Sequence, residues 1–213
     1  MSDATVQEYR GNGIVVRFDS AKCIHSRHCV LEHPRVFQAN VAGPWINPDN
    51  ESVEASVQAA HDCPSGAITY ERLDGGAPEA PPQVNTVRIR ENGPLAFRAD
   101  IRLDGHPASI RATLCRCGAS QNKPYCDGSH VTAGFVATGE AATQTSEPLA
   151  ARDGPLSVTL ITNGPMKISG NLEICTGTGR TVNRIQEAWL CRCGASGNKP
   201  YCDGTHKRTG FKS

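Results

Sequence analysis

The feature that most constrains this chain is a sixteen-residue stretch that occurs twice, CRCGASQNKPYCDGSH from Cys115 to His130 and CRCGASGNKPYCDGTH from Cys191 to His206. The copies differ only where Gln121 faces Gly197 and Ser129 faces Thr205. Each brings three cysteines and one histidine into a loop rich in Gly, Pro and Asn. Thiolates and an imidazole at such density form a metal site, here written twice.

The repeat extends upstream. Asn92-Gly93-Pro94-Leu95 recurs as Asn163-Gly164-Pro165-Met166, followed each time by alternating apolar and polar residues that read as strands. The expected strands are Ala96 to Leu103 and Ile110 to Leu114, then Lys167 to Ile174 and Ile185 to Leu190. The turn-rich CTGTGRT lengthens the second hairpin. Each repeat is thus expected to be a small β-structure with its metal loop at a strand end. In each loop a Cys-x-Cys pair can chelate one iron: Cys115 with Cys117, and Cys191 with Cys193. Cys126 and His130, like Cys202 and His206, lie four apart, so a helical turn would place both on one face toward a second iron. Asp127 and Asp203 can cap that turn, and Gly118 and Gly194 let backbone N–H groups approach sulfur. Arg116 and Arg192, between ligand cysteines, read equally well as charge-neutralising or as outward and solvated. Spacing leaves structural zinc open as the alternative, although zinc modules usually set at least two residues between paired ligands.

The front of the chain carries a different pattern. Gly13 to Phe18 is a strand candidate, Trp45-Ile46 a short extended piece, and Asn47 to Asn50 a turn. Glu51 to Asp62 has helical apolar spacing, ends at Cys63-Pro64, and gives way to a strand from Ala67. Cys23-x2-Ser26-x2-Cys29 with a distant Cys63-Pro64 has the outer spacing of a bacterial-type cluster loop, with serine at the middle ligand position. Three thiolates, Cys23, Cys29 and Cys63, suffice for a 3Fe–4S cluster. A 4Fe–4S cluster would draw a fourth ligand from His25, His28, Ser26 or water. Cys175 is expected to be a buried strand cysteine.

Two resemblances follow from these motifs. Lys22 to Cys29, Pro34 to Phe37 and Cys63 to Ala67 resemble the divergent single-cluster ferredoxin domains over about residues 9–72. Both sixteen-residue copies fit the signature of the CDGSH iron–sulfur family, the group related to mitoNEET, at every specified position. That resemblance implies one 2Fe–2S cluster per repeat, held by Cys115, Cys117, Cys126 and His130 and by Cys191, Cys193, Cys202 and His206. It further implies the soluble tandem type, in which two repeats pair within one chain as an intramolecular pseudo-dimer.

The expected organisation is α+β: a ferredoxin-like domain over 1–73, a Gly- and Pro-rich linker over 74–85, and CDGSH repeats over 86–140 and 141–213. Ten cysteines without a signal-peptide pattern in MSDATVQEYR suit a reducing cytoplasmic compartment, where clustered thiols bind metal more often than they pair. A formal net charge of +1 argues against nucleic acid as a partner. No apolar run approaches the roughly twenty residues of a membrane span. The expectation is a monomeric electron carrier with two 2Fe–2S clusters and one 3Fe–4S or 4Fe–4S cluster, serving an unnamed redox protein; a cluster store serving an apo-acceptor, or a zinc-bound interaction module, are the alternatives. No nucleophile–base–orienter trio or phosphate-binding glycine loop points to an enzyme.

Overall fold

A computed structural model describes residues 6–213, and the chain divides into two compact units, 1–80 and 81–213. The fold class is α+β.

In the first unit, strands β1 (Val6–Arg10), β2 (Ile14–Asp19) and β3 (Ile68–Arg72) form an antiparallel sheet with β2 in the centre. The β-branched run Ile14-Val15-Val16 gives β2 its buried face. β1 has no comparable apolar signal. It is held as an edge by Arg17, which pairs with Glu8 on one side at 2.5 Å and Glu71 on the other at 2.7 Å. Helix α1 (His28–Glu32) is short and opens from Arg27 in the left-handed region, φ 67°. Helix α2 (Val53–Asp62) is capped by the Ser52 hydroxyl, which accepts from the Ala55 N–H, and it stops before Pro64. Its Ala59 and Ala60 pack with Ile14, Val16, Val36, Phe37, Ile46 and Ile68 in one core. The extended piece at Ile46 is a single bridge to Phe37, and the Asn47–Asn50 turn is a 3-10 turn over Pro48–Asn50.

The second unit is built on six strands: β4 (Thr86–Ile89), β5 (Leu95–Leu103), β6 (Ser109–Leu114), β7 (Pro155–Leu160), β8 (Met166–Cys175) and β9 (Thr181–Leu190). Each repeat supplies three, with β4, β5 and β6 matching β7, β8 and β9. Both long strands divide their length between repeats. Leu95 to Arg98 of β5 pair with β4, whereas Asp100 to Leu103 pair in parallel with β7. Met166 to Ser169 of β8 pair with β7, whereas Glu173 to Cys175 pair in parallel with β4. A shared core therefore runs from Val87 and Phe97 through Leu156 and Ile168 to Leu190. β7 is not among the expected strands, because its Leu156 and Val158 alternate with exposed or polar residues over too few positions to stand out. Cys175 is buried at the end of β8 as expected. No helix among the described residues is long and apolar enough to cross a membrane.

Candidate metal centres

In the second unit each metal loop continues a strand and closes on itself. After β6, the Cys115 N–H donates to Pro124 O (2.8 Å) and the Cys126 N–H to Thr113 O (2.9 Å), with Leu114 bridged to Tyr125 between them. After β9, Cys191 donates to Pro200 O and Cys202 to Trp189 O, both at 2.8 Å, around the Leu190–Tyr201 bridge. Inside each loop a serine closes a circuit. Ser120 Oγ donates to Tyr125 O and accepts from Asn122 N–H, while Lys123 Nζ donates to Ser120 O. Ser196, Asn198 and Lys199 repeat the pattern.

This scaffold sets the donors in twos. Cys115 Sγ lies 3.7 Å from Cys117 Sγ, and Cys126 Sγ lies 3.4 Å from His130 Nδ1. The second loop gives 3.7 Å for Cys191 and Cys193 and 3.3 Å for Cys202 and His206. Cys115 and Cys191 are buried, whereas both histidines are partly exposed. Among the described residues, no three of these donors lie within 4.8 Å of one another; the group that does is Glu32, His33 and Asp62 in the other unit. The cysteine–histidine pair is not on a helix at its first member. α3 (Ser129–Thr132) and α4 (His206–Thr209) begin after the cysteine, and Gly128 and Gly204, at φ 86° and 85°, turn the chain so that donors four apart meet.

Charge is managed by named groups. The N–H groups of Ser120, Gly118 and Cys117 point at the Cys115 sulfur, and a hydrogen bond shared with Cys117 holds its thiol down to about 6. The same bond, with burial, pushes the Cys117 thiol up. Burial likewise pushes Cys126 up to about 11. A bound metal cation would favour the thiolate form of all three sulfurs. Burial opposes ionisation of Asp127, but N–H donors from Ser129 (2.9 Å) and Gln121 (2.7 Å) outweigh it and hold the carboxyl at about 2. The carboxylate therefore caps the turn, as expected, and also ties it to the loop's far side. Asp203 does both through Thr205 and Gly197.

Arg116 and Arg192 are neither outward nor solvated, with exposures of 1% and 5%. Arg116 donates to the carbonyls of Gly93, Arg90, Thr138 and Ala137, and its guanidinium lies 5.4 Å from the Phe135 ring centroid. Arg192 donates to Gly164 O, Ile161 O and Ser213 Oγ over Phe211. Each arginine thus clamps its loop to the Asn-Gly-Pro turn. Their recurrence at the same position of the two metal loops was the sequence signal for this role. Finally, the loops face each other through backbone: a Cβ on Gly118 would sit 2.8 Å from Cys193 O, and one on Gly194 would overlap Cys117 O.

In the first unit Cys23 follows a 3-10 turn, Cys29 lies on α1 and Cys63 caps the end of α2. All three line one cavity of about 520 Å³, together with His25, Ser26, Phe18, Trp45 and Ile68. Burial pushes the Cys23 thiol up, and burial with the neighbouring Cys63 pushes Cys29 up to about 11. His28 is turned elsewhere, its Nδ1 2.9 Å from Glu32. His61 meets the Tyr70 hydroxyl at 3.1 Å, and His33 lies 3.9 Å from Glu51.

Paired soft donors on two like loops, and three thiols around one cavity, define a metal-binding protein with tandem repeats. Comparison with known proteins names the families. Residues 92–131 and 163–207 each match the iron-binding zinc finger family of CDGSH type, and residues 9–73 match the divergent 4Fe-4S mono-cluster family. The uncharacterized protein YjdI of Escherichia coli K12 is 40% identical over 62 residues, covering 29% of this chain and 80% of that protein, and YjdI of Escherichia coli O157:H7 aligns to the same extent. The two repeats are CDGSH-type iron-binding domains joined to a divergent 4Fe-4S mono-cluster domain, and the chain is an iron–sulfur-binding protein.

Proposed function

We propose that this chain is an electron carrier holding two 2Fe–2S clusters and one 3Fe–4S or 4Fe–4S cluster, with no catalytic role of its own. One observation carries the reading: the rear donors stand in separated pairs, not as a quartet. A single zinc ion needs four donors converging at about 2.0–2.3 Å from one centre, whereas two pairs suit two irons. Cys115 with Cys117 and Cys191 with Cys193 would hold the inner irons; Cys126 with His130 and Cys202 with His206 would hold the outer ones. In the front cavity, Cys23, Cys29 and Cys63 stand too far apart for one ion and around enough space for a larger cluster. When bound, such clusters supply one-electron transfer at potentials set by ligand charge, burial and hydrogen bonds.

The residues tune that chemistry. Histidine in place of a fourth thiolate removes one formal negative charge, which favours the reduced state. Backbone N–H groups directed at Cys115 and Cys117 act the same way. The crossed pairing of β4 with β8 and β7 with β5, and the loop contact at Gly118 and Gly194, support an intramolecular pseudo-dimer and hence a monomer. A cytoplasmic setting fits ten cysteines with no disulfide.

A second reading, a cluster store serving an apo-acceptor, is favoured by the partial exposure of His130 and His206, each a neutral-nitrogen ligand that protonation can release. A redox titration followed by electron paramagnetic resonance, paired with incubation against an apo-ferredoxin, separates the two. Reversible reduction of all centres with iron retained supports the carrier; loss of iron and sulfide to the acceptor within the assay supports the store.

A further inference from the structure

The metal loops are near-copies, but the residues after their histidines are not. His130 is followed by Val131-Thr132-Ala133-Gly134-Phe135-Val136, and His206 by Lys207-Arg208-Thr209-Gly210-Phe211-Lys212. The two segments fold alike. Each makes one helical turn, passes through a left-handed glycine (φ 60° at Gly134, 65° at Gly210) and places a phenylalanine ring beside the clamp arginine. The fold therefore does not require cations there: the first repeat builds the same turn with Val131 and Val136 exposed at 74% and 82%.

In the second repeat Lys207, Arg208 and Lys212 are all exposed. Among the described residues none of the three has an ion-pair partner, and Arg208 reaches only Thr205 Oγ1, at 3.3 Å. The nearest loop charges do not compensate them. Asp203 is engaged by the N–H groups of Gly197 and Thr205, and Lys199, donating to Ser196 O, adds a further positive charge. Three like charges beside one partly exposed imidazole repel one another, and an incoming anionic surface would relieve that repulsion.

We propose that the rim of His206 is a docking surface for a carboxylate-rich protein, which it steers to the second metal loop in preference to the first. This rests on the reading of His206 as a ligand, since the rim then surrounds the outermost donor of that centre. Protein fits better than nucleic acid or lipid. Three cations in one short segment would give a duplex few phosphate contacts, each changing the salt slope by about 0.9. The formal charge of the whole chain is only +1. A membrane surface would favour apolar side chains among the cations, and here the exposed valines belong to the other repeat.

The test uses the full-length protein purified with its iron and follows fluorescence anisotropy of labelled poly-L-glutamate, with duplex DNA and phosphatidylserine vesicles as parallel probes. The Lys207→Gln/Arg208→Gln/Lys212→Gln variant is expected to bind poly-L-glutamate about tenfold more weakly. The wild-type affinity should fall as salt shortens the screening length below about 10 Å. The reciprocal variant Val131→Lys/Thr132→Arg/Val136→Lys should gain a second site. Unchanged affinity in the triple variant, no site gained by the reciprocal one, or tighter binding of DNA or vesicles than of poly-L-glutamate would overturn the proposal. Visible absorption of each sample is recorded separately. Loss of poly-L-glutamate binding with absorption intact supports the docking surface, whereas a wild-type protein without cluster absorption counts against the iron reading and leaves the binding result legible.

Discussion

The two units hold their cysteines by different physics. In the second unit each donor pair sits within a loop closed by its own strand bridge, serine circuit and aspartate, and tied down by one buried arginine. In the first, Cys23 and Cys29 come from one segment and Cys63 from the end of α2, and they face one cavity only because the domain core brings α2 onto the sheet. Local bonding closes each rear loop, and the arginine then ties it to the preceding Asn-Gly-Pro turn. The front site depends on the whole domain. The chain therefore combines two preassembled sites with one assembled by folding.

The largest expected effect separates the units outright. Cys63→Ala should remove the front cluster, about half of the roughly eight acid-labile sulfides expected per chain, while the rear absorption persists. Parallel loss of rear absorption would mean that the units are not independent. Next comes Arg116→Met, which leaves the Gly93 and Thr138 carbonyls without their donor, while those of Arg90 and Ala137 keep the N–H groups of Gly93 and Asn92. At about 1–3 kcal/mol for a buried group left unsatisfied, the second unit should lose about 3 kcal/mol in chemical denaturation, and Arg192→Met somewhat less because only the Gly164 carbonyl loses its donor, that of Ile161 keeping the Gly164 N–H. Equal, negligible losses would show that the clamps are dispensable.

Much of this contrast was legible in the sequence. The motif spacing pointed to every candidate ligand, and the Cys-Pro step marked the end of α2. The clamp arginines were not legible, because a charged residue between ligands normally reads as solvated, and only the fold reveals the carbonyls of Arg90 and Gly93 around it. β1 and β7 were hidden for a different reason. Val6 to Arg10 is a polar edge fixed by Arg17, and Pro155 to Leu160 gains one of its two partner strands, β5, from the other repeat. Pairing between distant segments leaves little trace in local periodicity.

Smaller effects sharpen the comparison within the second unit. Gly194→Ala should cost about 1–3 kcal/mol, from its left-handed φ of 80° and its contact with Cys117 O. Gly197→Ala, where an added Cβ would meet nothing nearer than Asp203 Oδ2 at 3.6 Å, should change stability by less than about 0.5 kcal/mol. Thermal denaturation of the two variants checks the difference. Glu173, buried where β8 meets β4, supplies the smallest effect. Burial would raise its carboxyl, but the Arg152 guanidinium at 2.8 Å and the Thr181 hydroxyl at 2.9 Å outweigh this and hold it below the usual range. Its contribution is therefore complete above the ordinary glutamate value of about 4.3 and declines as pH falls toward the folded value. Glu173→Gln should flatten that acid limb in urea denaturation midpoints measured between neutral and acid pH; an unchanged limb would place the sensitivity elsewhere.

The central claim is that the rear donors serve pairs of irons and the front thiols one larger cluster. Iron, zinc and acid-labile sulfide measured together on anaerobically purified full-length protein test it most directly. The account predicts about eight sulfides with about seven or eight irons per chain and no stoichiometric zinc. Two zinc ions per chain with no sulfide would contradict it.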